Sequence, residues 1–347
     1  MKTMGMRRTR RTGTHRRPGT LVLGSALFLA ACGGQAQGED AGAKQEAQTV
    51  RLAHCCADGS HFDTVSEKFA ELVTEKTDGA ITIEVFPGAQ LGAEKEVVEN
   101  VQAGAIEMTM VSSDPLGGFA SEVQVLSQPY VFDDPEHAFR VLDGEVGDQL
   151  EAALLDKGLL VLGWGDNGQR VYTNNDRPIL EPSDVEGLKI RSPQSPVNLA
   201  ITEALGGSGV AMAYGEVYTG LQQGTIDGQE NAIINIYPAK LQEVQRYLSL
   251  TNHLMSFVVA AVNPQWFDGL TPETQEAIRE AATEAMEFER EQTAELTADL
   301  TEKLEAEGMQ IDEPDVDAFR EQTQDLYKEF VGEAFTQELY DAIRSER

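Results

Sequence analysis

Few residues of this 347-residue chain are spaced for catalysis. Cys55 and Cys56 are adjacent and lack the C-x-x-C spacing of a metal or dithiol redox motif. Such a pair is either a vicinal disulfide or two buried thiols. His54 and His61 stand close by, but no carboxylate or third ligand follows at helical spacing, so they make no metal site. His54 and His253 are the best candidate bases, and neither has a nucleophile as a motif partner. No G-x-S-x-G, H-E-x-x-H or P-loop occurs. The distinctive feature is an ordered set of polar segments in the second half. Asn167-Gly168-Gln169-Arg170-Val171-Tyr172-Thr173-Asn174-Asn175 is followed by Arg177-Pro178-Ile179 and then by Asp184-Val185-Glu186-Gly187-Leu188-Lys189-Ile190-Arg191-Ser192-Pro193. Ala204-Leu205-Gly206-Gly207, Glu216-Val217-Tyr218-Thr219-Gly220-Leu221-Gln222-Gln223-Gly224 and Asp227-Gly228-Gln229-Glu230-Asn231 complete it.

The elements that must position these segments alternate between strand and helix. Thr49–His54 and Ile81–Phe86 read as strands, and Phe62, Val65, Phe69, Leu72 and Val73 share a helical face that stops at Gly79. A helix over Glu94–Ala103 and a strand over Ile106–Val111 complete a βαβαβ run, which implies a parallel sheet with right-handed crossovers. Pro135–Leu142 and Gly147–Leu155 read as helices, and Leu159–Trp164 as a buried strand. Val171–Thr173 is extended, and Leu188–Arg191 is a strand. Pro196–Leu205 and Glu216–Gln223 are helices flanking the extended Gly209–Met212, and Phe257–Asn263 is apolar enough for a central strand. From Pro272 to Glu307 there is neither Gly nor Pro, with Thr271 as cap and Gly308 as stop. Such a helix is about 50 Å long and should lie across two domains. The stretch Val316–Ile343 adds one or two helices, and no internal repeat is evident.

Charge is distributed unevenly. The chain carries 27 Lys+Arg against 58 Asp+Glu, a net −31, which disfavours nucleic-acid binding because phosphate contacts need clustered cations. Residues 1–31 run the other way: Lys2, Arg7, Arg8, Arg10, Arg11, Arg16 and Arg17 occur there, with no acid. This basic head precedes the apolar run Leu21–Ala31, the layout of a secretory signal peptide too short to span a bilayer. Leu29-Ala30-Ala31-Cys32 resembles a bacterial lipobox, in which Cys32 is lipidated and becomes the mature N-terminus. The polar tract that follows, to residue 48, reads as a tether. The acids of the long helix read as a solvated face.

In order and spacing, the polar segments resemble the solute-binding proteins of tripartite ATP-independent periplasmic (TRAP) transporters, the DctP family. Gln90-Leu91-Gly92, Gln128-Pro129-Tyr130-Val131-Phe132 and Leu250-Thr251-Asn252-His253 extend the resemblance over nearly all of residues 49–345. It implies a periplasmic-binding-protein-like α/β fold, with two α/β domains around a ligand cleft. It also implies a small organic acid as ligand, a monocarboxylate, dicarboxylate or sugar acid, and a membrane permease as partner. Arg191 matches the family's carboxylate-binding arginine, whose planar fork suits two parallel hydrogen bonds to a carboxylate. Arg170 matches the second arginine, Asn231 the amide after the D-G-Q-E run, and Tyr214 the aromatic that packs on the ligand or covers Arg191. Ala232 stands where the family usually has Pro.

His54, Ser112, Ser113 and Asp114 lie at strand C-terminal ends, where open α/β sheets bind ligands, and are further candidates. The domains expected are 49–169, with a return over about 257–307, and 170–256. The long helix is 271–308, and C-terminal helices occupy 309–347. The protein is expected to be a lipid-anchored, extracytoplasmic monomer with no cofactor and no bound metal. The rival is an exported α/β hydrolase, which lacks a motif-paired nucleophile and base.

Overall fold

The computed structural model describes residues 45–346. The expected signal segment 1–31, Cys32 and the start of the tether lie outside the described residues. The first half alternates as its periodicity predicts: β1 (Gln48–Ala53), α1 (His61–Lys76), β2 (Ile81–Phe86), α2 (Glu94–Gln102) and β3 (Met108–Ser112). Ser60 caps α1, its hydroxyl accepting the Asp63 N–H. A short helix α3 (Ser113–Leu116), then α4 (Pro135–Leu142) and α5 (Glu145–Leu155), lead into a 15-residue strand, β4 (Leu160–Asn174). The second half holds β5 (Lys189–Ser192), α6 (Pro196–Ala204), β6 (Ser208–Ala211), α7 (Val217–Gln223), β7 (Gly228–Ala232) and α8 (Ile233–Ile236). The 16-residue β8 (Tyr247–Val262) follows, then α9 (Pro264–Asp268), α10 (Pro272–Ala306), β9 (Gln310–Asp312), α11 (Val316–Thr323) and α12 (Gln337–Ser345).

These strands form one sheet in the order β2-β1-β3-β8-β4-β7-β5-β6, with β9 beside β8. β1–β3 are parallel to one another, as are β5–β7, and the antiparallel pair β4/β8 joins the two groups. The pieces expected at Leu159–Trp164 and Val171–Thr173 are therefore one strand, and Phe257–Asn263 is the end of another. The domain boundaries expected at 169/170 and 256/257 fall inside β4 and β8. Both strands are irregular there. Their register shifts between Asp166 and Gln169, where Gly168 has φ +82°, and Asn252 has φ +44°. A β-carbon on Gly168 would stand 3.1 Å from that of Ala232 and in a strained backbone region.

The two halves repeat one another, although no repeat was evident in the sequence. The orders β2-β1-β3 and β6-β5-β7 mirror each other across the central pair. Ala93, Glu96, Val97, Gln102, Gly104 and Ile106 correspond to Ala213, Glu216, Val217, Gln222, Gly224 and Ile226. The next residue in each half, Glu107 or Asp227, accepts a backbone N–H from the middle strand: Arg51 in β1 at 2.9 Å, Lys189 in β5 at 2.8 Å. The repeat is sparse because core strands need only apolar character, while identity survives at turns and caps.

α10 has 35 residues, begins with Thr271 accepting the Thr274 N–H, and crosses both halves as its length predicts. Ile278, Ala281, Ala282, Ala285 and Met286 pack with Phe62, Phe69 and Val258 in the first half, and Leu300 and Leu304 with Ile234 and Leu248 in the second. The alanines have little side chain, which lets the helix lie close against β4 and α1.

Candidate functional site

Two arginines stand at the centre of the molecule, each 2 % exposed, in opposite electrostatic settings. Arg170, mid-way along β4, is knitted in. Its Nε donates to the Glu230 carboxylate, Nη2 to the Glu230 carbonyl (2.7 Å), and Nη1 to Asn231 Oδ1 (3.2 Å) and Asp114 Oδ2 (3.4 Å). Burial works to lower the Arg170 pKa but is outweighed by Glu230 and Asp114, which raise it. Burial likewise opposes the charge on Glu230, and Arg170 and His253 overcome it, holding Glu230 well below the usual carboxylate range. His253 stacks on Tyr172, with Nε2 3.5 Å from Glu230 and Nδ1 2.9 Å from Thr251 Oγ1. Burial lowers its pKa, which favours the neutral ring.

Arg191 stands on β5, one residue before its end, and its guanidinium makes one hydrogen bond among the described residues, Nε to Met212 O at 3.0 Å. Its guanidinium carbon lies 6.0 Å from the centre of the Tyr214 ring. No carboxylate pairs with it among the described residues, and burial, followed by repulsion from Arg170, lowers its pKa. Arg191 lines an inner cavity together with Glu94, Arg170, Tyr214, Asn231 and Asn235. It also lines a wider opening that shares Glu94 and Tyr214 with that cavity.

The other expected residues divide. Tyr214 lines both spaces, and its hydroxyl donates to the Asn235 carbonyl at 2.7 Å. Asn231 lines the inner cavity, where its oxygen accepts from Arg170, Asn235 and the Ala232 N–H, leaving its amide N–H groups as donors. Ser112 and Asp114 also line it, but both are engaged. Asp114 accepts from the Ser112 and Ser256 hydroxyls, from Arg170, and from Asn198 on α6 (3.2 Å), which ties the halves together. Ser113 and His54 reach neither space. The Ser113 hydroxyl accepts the Phe257 N–H, and His54 Nε2 faces Asp63 at 3.2 Å. Cys55 and Cys56 are free, buried thiols on the cavity wall, their sulfurs 3.8 Å apart.

Sequence reasoning gave no role to Glu94, Asn167, Asn235 or Glu230, and it took His253 as a candidate base, whereas that ring faces Glu230 and Thr251. Asn235 joins three elements: its Nδ2 donates to Asn167 (2.8 Å) and Asn231, and its Oδ1 faces His61 Nε2 at 3.2 Å. His61 continues to Glu289 on α10 (3.3 Å), whose other oxygen accepts the Asp166 N–H. Burial, with the Glu289 charge second, raises the Asp166 pKa to about 7. The available signal was an acid in the first turn of α2 and polar residues inside otherwise buried strands.

Residues 52–333 match the family of bacterial extracellular solute-binding proteins, family 7, DctP. The chain belongs to this family. The 2,3-diketo-L-gulonate-binding periplasmic protein YiaO of Escherichia coli is 37 % identical over 265 residues, 76 % of this chain and 81 % of that one. The C4-dicarboxylate-binding periplasmic protein DctP of Rhodobacter capsulatus is 34 % identical over 278 residues, 79 % of this chain and 80 % of that one. A TRAP periplasmic solute-binding protein of Polaromonas sp. JS666, solved with D-erythronate, superposes with a TM-score of 0.83 at 34 % identity, covering 86 % of this chain and 98 % of that one. The family resemblance and the two-domain α/β architecture expected from sequence are borne out, and the hydrolase alternative has no support. The chain is a TRAP-type solute-binding protein and not an enzyme.

Proposed function

We propose that this DctP-family protein captures a small organic acid anion in the cleft between its halves, holds the carboxylate on Arg191, and delivers it to a TRAP permease. The observation that carries the reading is the buried Arg191 guanidinium, which forms no ion pair among the described residues and one hydrogen bond, to a backbone carbonyl. A buried charge is stable only when paired and hydrogen-bonded, and the planar fork is matched by a carboxylate. Tyr214 closes one side and excludes water, which strengthens the pair. Asn231 offers amide donors beside it, whereas Arg170 serves mainly to hold Glu230, Asp114 and Asn231 in place. Binding draws the halves together about the irregular stretches of β4 and β8. The protein acts as a monomer, exported through residues 1–31 and held to the membrane by lipid on Cys32.

A thermal-shift screen of monocarboxylates, dicarboxylates and sugar acids tests the reading, because an acid at 100 times its Kd adds about 2.7 kcal/mol of stability. One or more acids should raise the melting temperature and be recovered unchanged. A panel with no stabilising acid, or an acid chemically converted, contradicts it. Fatty-acid labelling that is equal in wild type and Cys32→Ser contradicts the anchor.

A further inference from the structure

Glu94 is the residue of the cleft that fits none of these roles. It stands at the first turn of α2 and lines both the inner cavity and the outer opening, as Arg191 and Tyr214 do. One of its oxygens accepts the Ser112 N–H at 3.1 Å, which fixes the carboxylate in place, and its other oxygen has no donor among the described residues. The internal repeat gives a second, independent reason to place it in the binding wall. Ala93-Glu94-Lys95-Glu96 in the first half corresponds to Ala213-Tyr214-Gly215-Glu216 in the second, so Glu94 is the counterpart of Tyr214. The two positions flank the same space, one from each half.

Charge then decides which acid the cleft accepts. Of the two buried arginines, Arg170 is already matched by Glu230 and Asp114, so one cation, Arg191, is left for the ligand. A second ligand carboxylate inside the cleft would meet Glu94 and Asp114 with no guanidinium to spare. Lys95 lines only the outer opening, is exposed, and shares that rim with Glu96 and Glu216. Burial pushes the Glu94 carboxyl up from its usual range, while the Ser112 N–H and Arg191 pull it down. Ionised, its bare oxygen is an acceptor only, and its natural complement is a ligand hydroxyl.

We propose that Glu94 is a specificity-determining residue that accepts hydroxyl hydrogens from the ligand, so that this cleft selects polyhydroxy monocarboxylates over dicarboxylates. This rests on the reading of Arg191 as the carboxylate anchor. Like charges forced together in the cleft reject the wrong ligand, while a hydroxyl lost from the right one leaves the half-buried Glu94 acceptor unpaired.

The test is calorimetric titration of wild type, Glu94→Gln and Arg191→Ala. Matched acids serve as probes: D-erythronate, butyrate and succinate at four carbons, D-gluconate, hexanoate and D-glucarate at six. Wild type should bind a hydroxy monoacid best and bind the matched simple acid and diacid at least about tenfold more weakly, the effect of one charged hydrogen bond. Glu94→Gln should narrow the gap between monoacid and diacid by about tenfold or more, because the repulsion is gone. A diacid as the tightest wild-type ligand, or an unchanged monoacid-to-diacid ratio in Glu94→Gln, overturns the inference. Arg191→Ala separates the two levels. Loss of every acid there upholds the anchor whatever the Glu94 result, and retained binding removes the anchor beneath both.

Discussion

Arg170 and Arg191 are equally buried, yet the protein surrounds the first with acceptors and leaves the second with one backbone carbonyl. The difference lies in the strands that carry them. Arg170 sits on β4, opposite Ala232 of β7, so Glu230 and Asn231 of that neighbour fall within its reach. Arg191 sits on β5, beside Gln229 of β7 and Val210 of β6, and forms no ion pair among the described residues. On the proposed reading, one arginine belongs to the architecture and the other to the ligand. The sign of the pKa displacement records the same division: raised by partnered acids at Arg170, lowered by burial and a like charge at Arg191.

The harshest way to break the comparison is to remove Arg170. Arg170→Ala leaves Glu230 and Asp114 buried without their cation and should cost about 3–5 kcal/mol in denaturant unfolding. A loss below about 1 kcal/mol would mean that Arg170 is not the structural member of the pair. Arg191→Ala, by contrast, should leave the stability of the acid-free protein nearly unchanged.

Next in size is a pH effect at the junction that links these networks to α10. Asp166 titrates at about 7 when folded, because burial first and Glu289 second oppose its charge, against an ordinary value of 3.8. A raised carboxyl keeps its proton in the fold while the unfolded chain has lost its own. Its contribution is thus fully present below about pH 4 and is lost as the pH rises to about 7, at up to about 1.4 kcal/mol per pH unit. Asp166→Asn keeps an acceptor for the Gly168 N–H and should flatten that slope. Equal slopes in the two proteins would show that Asp166 is ionised throughout.

Smallest is Tyr214→Phe, which deletes the hydrogen bond to the Asn235 carbonyl but keeps the ring beside Arg191. A net hydrogen bond is worth about 0.5–1.5 kcal/mol, so acid binding should weaken no more than about tenfold. A larger loss would move Tyr214 from wall to direct ligand.

What could be read from the sequence follows the same contrast. The apolar periodicities of α1, α2, β1–β3 and the long α10 were legible because those elements bury one apolar face. β7 was not: Gly228-Gln229-Glu230-Asn231-Ala232 is buried throughout yet polar, so no hydrophobic pattern marks it as a strand. β4 was split for the same reason, since Asp166–Arg170 interrupts its apolar run with residues that face Glu289, Ser256 and Glu230. Polar residues enter the middle of a sheet where it lines the cleft and joins the halves, and there pattern reading fails. Arg191, Asn231 and Tyr214, chosen through ordered motifs, line the inner cavity. His54 and Ser113 were chosen by strand-end position alone, and the fold turned them to Asp63 and Phe257. Glu94 becomes visible only once the two halves are aligned.

The most direct measurement is calorimetric titration of folded Arg191→Ala, checked by circular dichroism, with the acid that most stabilises the wild type. Truncating one partner of a buried charge pair costs about 2–5 kcal/mol, so affinity should fall roughly 30- to several-thousand-fold. Arg191→Lys should recover part of that loss, because the charge returns without the fork. Near-native affinity in folded Arg191→Ala would contradict the assignment and place the ligand elsewhere.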